Sequence, residues 1–376
     1  MREQLGWSYL TAGLMNAANA AGYLVGALAC PWILRRWGAR ATLLRGSGAA
    51  AVLLAMHGWA PTDVWLYALR GLMGLASAAV FVSGGLLAAR LASGHAHGTA
   101  TTAVSPGLVL GIYYGGTGLG IVVSAVLAPL FFGVAVPLLA WAGWRGAWVA
   151  LAAAAALCTL VMVWRVGAAL PVQAGSGANI GPAFRWQPFA LGLLSYGLFG
   201  LGYIGYMTFI ITLLREQQLA AHWVVAFYCL LGLGVMASPW LWASLLQRQR
   251  GGGALALLNG LLAVAVALPV ASAHPAAAFV SGVLFGSVFL SVVASTTALV
   301  RHNLPAAQWP AGISAFTVVF AAGQIAGPAL AGALSDSWGG LRAGLAVSAA
   351  VLLVAALLAR LQMPLTSPPG PPMSPQ

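Results

Sequence analysis

The sequence predicts an all-α, polytopic membrane protein built as two pseudo-symmetric helical halves. Three observations lead there: the near absence of charge, the length of the apolar runs and an internal repeat. Of 376 residues, 61% are apolar and only 5% are charged, whereas a soluble domain carries about a quarter charged residues. So few charges cannot clothe a water-facing surface, so the lipid bilayer is the expected surroundings. The apolar runs exceed the ~18–20 residues that cross a hydrocarbon core. Forty-eight glycines are spread through them, and small residues let membrane helices approach closely.

Eleven spans are expected, at 8–34, 41–56, 64–91, 103–136, 142–166, 189–214, 222–246, 253–271, 276–300, 307–335 and 341–361. The fourth holds Pro106 and Pro129, so its ends are expected to bend. Alternating the spans places Arg35, Arg36, Arg40, Arg45, Arg90, Arg165, Arg185, Arg248, Arg250, Arg301 and Arg360 on one side. The other side receives Arg2, Arg145, Arg215 and Arg342 with all four acids, Glu3, Asp63, Glu216 and Asp336. Arginine excess marks the cytoplasmic side. The expectation is an inner (plasma) membrane protein with its C-terminus in the cytoplasm and Met1 outside.

The formal net charge of +12 does not predict nucleic-acid binding, because the arginines stand singly or in pairs at span ends and form no basic patch. There is no lysine, which excludes a Walker-type phosphate loop. No cofactor is expected, and energy for uphill movement must come from a gradient or another chain. Cys30, Cys158 and Cys229 lie inside apolar runs and suit neither a disulfide framework nor a zinc site. His95-Ala96-His97 has no third ligand nearby, so no metal is expected.

Residues 1–166 form the expected N-terminal half with five spans, 167–188 a Gly-, Pro- and Ser-rich cytoplasmic linker, and 189–362 the C-terminal half with six. Residues 363–376 are proline-rich and expected to be disordered. The halves share wording. Arg2-Glu3-Gln4 precedes the first span and Arg215-Glu216-Gln217 the seventh, and these spans run to Pro31-Trp32 and Pro239-Trp240. Trp144-Arg145-Gly146-Ala147 introduces the last span of one half, and Trp338-Gly339-Gly340-Leu341-Arg342 that of the other. Such repeats typify secondary transporters, which bind solute at the repeat interface. The span at 189–214 has no counterpart in the first half. The repeat therefore predicts eleven spans of an expected twelve, the absent one falling immediately before Met1; a natural eleven-span protein is the alternative.

Several polar groups sit inside the spans. Arg70 lies about two turns into the third, on one face with Gly74, Ser77 and Phe81. A mid-membrane arginine costs ~2.5–3.5 kcal/mol on insertion scales, so it faces a cavity or a partner unless it snorkels to the interface. Asn16, Asn19 and Tyr23 share a face of the first span. Tyr113, Thr117 and Ser124 share one on the fourth, and Thr317 and Gln324 one on the tenth. Tyr196, Phe199, Tyr203 and Tyr206 form an aromatic stripe on the sixth. These faces are expected to line a central cavity, with interhelical hydrogen bonding or ring packing as the alternative for each. All four acids lie at outer helix ends, which leaves no mid-membrane carboxylate to carry a proton. Asp63, Asp336 and the outer histidines His57, His222 and His274 are the substitutes on offer, none of them at mid-membrane.

The segment Leu66-Tyr67-Ala68-Leu69-Arg70-Gly71-Leu72-Met73-Gly74 resembles the fourth-helix pattern of the major facilitator superfamily. Arg35-Arg36-Trp37-Gly38-Ala39-Arg40 is similar to that family's basic cytoplasmic turn, except that Arg35 stands where the family has aspartate. Gly323-Gln324-Ile325-Ala326-Gly327-Pro328 resembles its eleventh helix. Gly6-Trp7-Ser8 and Gly143-Trp144-Arg145-Gly146-Ala147-Trp148 are similar to the YbfB-type branch. The resemblance implies a monomeric secondary transporter of a small organic solute, working by alternating access between two six-helix halves, one helix being absent here. It implies gradient coupling, with proton-coupled efflux as one form, and a gating or proton-linked role for Arg70. A membrane receptor or assembly subunit, or an intramembrane enzyme, stays open as the alternative.

Overall fold

The computed structural model describes residues 1–96, 106–130, 143–166, 184–305 and 308–365. A short helix, α1 (Arg2–Leu5), is closed by Gly6 in the left-handed conformation, φ 65°. Ten long helices follow: α2 (Tyr9–Trp59), α3 (Asp63–Ala96), α4 (Pro106–Leu130), α5 (Trp144–Val166), α6 (Ala190–Glu216), α7 (Ala221–Arg248), α8 (Gly253–Ala271), α9 (Pro275–Asn303), α10 (Trp309–Ser337) and α11 (Leu341–Arg360). No strand occurs among the described residues. Large apolar side chains such as Trp32, Val64, Leu157, Trp164, Leu241 and Leu357 stand exposed on the outer surface. Water would not tolerate that surface, and lipid requires it. The chain is a multi-pass membrane protein.

At 51 residues, α2 would be about 77 Å long if straight, over twice the hydrocarbon thickness. It is not straight. Gly38 interrupts it at φ 75°, ψ 164°, and the Thr42 hydroxyl restarts the helix by donating to the Gly38 carbonyl at 2.7 Å. The first two expected spans are therefore the two arms of one broken helix, joined by a single reversing residue rather than by a loop. Residues 97–105 and 131–142, into which the expected fourth span extends, lie outside the described residues. So do 167–183 of the expected linker and 366–376 of the tail.

Helices α2–α5 form the first group: α2 packs against α3 and α5, and α4 touches α3 and α5 but makes its most extensive contact with α7. Helices α6–α11 form the second group, with α6 between α10 and α11, α7 on α9, and α8 on α9 and α11. Each group has its own apolar core. The larger is built from the rings and leucines of α6–α11; the smaller gathers Trp7, Met15, Leu66, Leu69 and Trp144. Between the groups run two close seams, α2 on α10 and α4 on α7.

The long helices sort the charges to two ends. At one, Asp336, Glu216, Asp63 and Arg145 engage the N-terminal region and the α2–α3 turn. At the other, the ends of α7 and α9 meet through His302 on the Gln249 carbonyl and Asn303 on that of Arg250. The first is called the acidic end below and the second the arginine-rich end.

Candidate functional site

Ser8 caps α2 by accepting from the Thr11 amide at 3.1 Å. The remaining free amides at that terminus are taken by the other helical group. Asp336 of α10 accepts from the backbone N–H of Tyr9 at 3.0 Å and of Leu10 at 2.9 Å. A helix N-terminus carries a partial positive charge, so a carboxylate there is favourable. The Tyr9 hydroxyl donates to Glu216 of α6, and Arg2 lies over the Tyr9 ring, 4.1 Å from its centroid. Below this latch, α10 meets α2 so closely that a Cβ on Gly13 would lie 2.2 Å from the Pro328 carbonyl oxygen. In the other seam a Cβ on Gly118 of α4 would lie 2.4 Å from the Gly232 carbonyl oxygen of α7.

Just inside the latch is a cavity of about 190 Å³. Arg70 of α3, Asn16 of α2, His57 near the end of α2, and Thr208 and Thr212 of α6 supply its polar wall; Trp7, Met15, Leu66 and Phe209 supply apolar wall. A polar chain crosses it. Arg70 Nη2 donates to Asn16 Oδ1 at 3.3 Å; Asn16 Nδ2 donates to Thr208 Oγ1 at 2.8 Å; the Thr208 hydroxyl donates to the Ile204 carbonyl at 2.7 Å. This chain ties the two helical groups together. Among the described residues, the other partner of Arg70 is an aromatic face, the Trp148 ring of α5, 5.1 Å from Cζ.

The imidazole of His57 stacks on Trp148 as well, at 4.4 Å between ring centroids and 23° between planes. Its Nδ1 lies 2.7 Å from the Leu53 carbonyl oxygen one turn back. A carbonyl only accepts, so Nδ1 carries a proton and the neutral ring presents a lone pair at Nε2. That atom is buried and has no partner.

The expected site residues fall into three groups. Asn16 and Arg70 meet in the cavity wall. Deeper, Tyr23 of α2, Tyr113 and Tyr114 of α4, and Tyr196 and Tyr203 of α6 come close enough to interact electrostatically. There Tyr113 donates to the Phe81 carbonyl at 2.8 Å, and Gln324 donates to the Tyr203 hydroxyl. Asn19 and Ser77 are half-buried on the facing helices α2 and α3, and the Asn19 carbonyl lies where a Cβ on Gly74 would.

The third group stands apart from the cavity. Tyr206 is fully buried within the α6–α11 core, its hydroxyl 2.6 Å from that of Ser281 and its ring stacked on Phe285 at 4.3 Å. Tyr196, Phe199 and Tyr203 stack with Phe320 as well, so much of the aromatic stripe packs α6 onto α10. Thr117 is exposed on α4. In the basic turn, Arg35 and Arg36 are exposed and Arg40 is half-buried around the Gly38 reversal. Trp148 and Thr208 were not among the expected site residues, and His57 entered only as one of three outer histidines that could replace a carboxylate as proton carrier. Thr208 shows in the sequence only as a polar residue within an apolar run.

A search of curated proteins finds no match to the chain. A family profile described as "Uncharacterised MFS-type transporter YbfB" matches residues 1–360, nearly the whole chain. The broken α2, the two helical groups and the glycine-lined seams between them are thus the architecture of a membrane transporter, and the chain belongs to the YbfB-type family of the major facilitator superfamily.

Proposed function

We propose that the chain is a gradient-driven secondary transporter that moves a small organic solute by alternating access, with Arg70, Asn16 and Thr208 at the binding layer. The observation that carries this reading is the chain of hydrogen bonds from Arg70 through Asn16 to Thr208. A solute that takes a donor of Arg70 or Asn16 competes with a bond joining the two groups. Binding then shifts the equilibrium between arrangements that differ in that bond, as any coupled transport step requires. Two separate cores joined by glycine-lined seams suit rocking of one body against the other, because backbone contacts slide without interlocked side chains. The Tyr23–Tyr113–Tyr196–Tyr203 layer forms the wall toward the arginine-rich end. By the arginine bias, that end is placed in the cytoplasm of an inner membrane. No catalytic role is proposed for any residue.

The test needs no solute. In a background with Cys30, Cys158 and Cys229 replaced by alanine, Thr212→Cys and Ser77→Cys are labelled separately with a membrane-impermeant maleimide in vesicles of both orientations. Thr212→Cys should react from the acidic end and Ser77→Cys from the arginine-rich end. Oxidative cross-linking of Tyr9→Cys with Glu216→Cys should protect the first and increase labelling of the second. Labelling unchanged by the cross-link would refute alternating access and favour a receptor or assembly role.

A further inference from the structure

Arg70 and His57 share a wall of one cavity and share one ring, Trp148, yet neither has a carboxylate partner among the described residues. A guanidinium held in a mostly apolar cavity is costly unless an anion or a polar partner neutralises it. One bond to a neutral amide at 3.3 Å is weak compensation, since a guanidinium offers five donors. A buried imidazole nitrogen without a partner costs ~1–3 kcal/mol. Both residues line one small cavity, Arg70 with spare donors and His57 with a buried nitrogen that has no partner, and that chemistry suits an anionic ligand.

We infer that the cavity binds a small organic monocarboxylate, whose carboxylate is held by Arg70 and by His57 protonated at Nε2. The inference rests on the transporter reading and supplies its solute class. The anion brings one negative charge to Arg70. The same charge favours protonation of His57, so one proton is taken up from solvent onto Nε2 with each carboxylate bound and no covalent bond changes. Nδ1 remains committed to Leu53 in both states, so the change occurs at Nε2 alone. Trp148 contacts both side chains, its ring centroid 5.1 Å from Arg70 Cζ and 4.4 Å from that of His57, and stabilises the imidazolium as it stabilises the guanidinium. Trp7, Met15, Leu66 and Phe209 receive the apolar remainder of the solute.

The other charged and titratable groups around His57 leave its role intact. Asp63 on α3 is engaged by the Trp7 indole at 3.0 Å, and Tyr67 donates to the Thr11 carbonyl at 3.2 Å. Arg145 of α5 donates to the Ala60 carbonyl at 3.4 Å. Arg2 also lines the cavity and lies over the Tyr9 ring. Among the described side chains no inward carboxylate lies on these elements, so His57 carries the proton that an acid would otherwise carry. Proton and anion then bind with mutual reinforcement, as linkage demands.

The purified full-length chain in detergent is titrated with sodium acetate, lactate and benzoate, and with acetamide, lactamide and benzamide, by thermal unfolding at pH values from 5.5 to 8.5 in a carboxylate-free buffer. At least one carboxylate should raise the melting temperature where its amide does not. Its apparent affinity should fall about tenfold per pH unit above the imidazole titration. Arg70→Gln should abolish the response. His57→Gln should weaken it at pH 5.5 and flatten its pH dependence. Equal responses to acids and amides, no response to the panel, or an unchanged pH profile in His57→Gln would each overturn the inference. Should Arg70→Gln fail to fold, the acid–amide comparison and His57→Gln still decide. A chain that passes the cross-linking test but ignores carboxylates keeps the transporter reading and loses this one.

Discussion

Asn16 on α2 donates from Nδ2 to Thr208 Oγ1 on α6 at 2.8 Å, a side-chain bond that crosses from one helical group to the other. Its Oδ1 meanwhile accepts from Arg70, so one amide serves both as the solute wall and as the tie between groups. Asn16→Ala and Thr208→Val should each lower thermal stability by ~0.5–1.5 kcal/mol, the usual net value of one hydrogen bond. The double substitution should cost less than the sum, because either single change already breaks the shared bond. Thermal unfolding of the four proteins gives the coupling directly, and strict additivity would disprove the tie.

Asp336 closes the acidic end by accepting both free amides at the start of α2. Replacing it by alanine removes the charge and both acceptors, which is worth ~1–2 kcal/mol at a helix N-terminus. The expected result is a shift toward the open acidic end, read as faster maleimide labelling of Thr212→Cys. Asp336→Asn keeps an acceptor and should fall between wild type and alanine.

The α4/α7 seam leaves no room for a side chain at Gly118, where a Cβ would sit 2.4 Å from the Gly232 carbonyl oxygen. Valine there must push the helices apart, at a cost of ~1–3 kcal/mol for overpacking. We expect Gly118→Val to reach the membrane at reduced level and to lose the labelling change that the Tyr9→Cys/Glu216→Cys cross-link produces. Gly116→Val, at an exposed position with open space around it, should behave as wild type in both measurements.

Gly38 reverses α2 in a conformation, φ 75° and ψ 164°, that glycine adopts readily and L-residues with a Cβ do not. Gly38→Val should destabilise the protein by ~1–3 kcal/mol and reduce its yield. Moving the glycine one position, as Trp37→Gly with Gly38→Ala, should not rescue it, because the positive φ falls at residue 38.

How much of this was legible beforehand differs by residue. Arg70 announced itself because a charge within an apolar run has few tolerable placements. Asn16 was legible because a polar amide inside an apolar run needs a partner that lipid does not supply. His57 was not: it falls just past the expected end of its span, where it reads as one more outer histidine. Trp148 served only as the last residue of a motif resembling the family branch, since nothing local says that a ring on α5 will contact side chains of α2 and α3. Thr208 sits off the aromatic stripe of α6, and its importance exists only opposite Asn16. The stripe itself was conspicuous, yet Tyr206 lies within the packed core, because aromatic periodicity marks a buried face without saying what buries it.

The sequence by itself determined that this chain lies in a membrane, how its charges divide between two ends, and which family pattern its arginine belongs to. Those properties follow from local hydropathy and from the short range over which a helix fixes its own backbone. Tertiary structure alone decided that α2 reverses at one residue, that Asp336 caps it from α10, and that Arg70 and His57 share Trp148. Such pairings are set by how closely backbones separated by many tens of residues approach. That depends on glycine contacts and side-chain registers on two helices at once, which no single stretch of sequence contains.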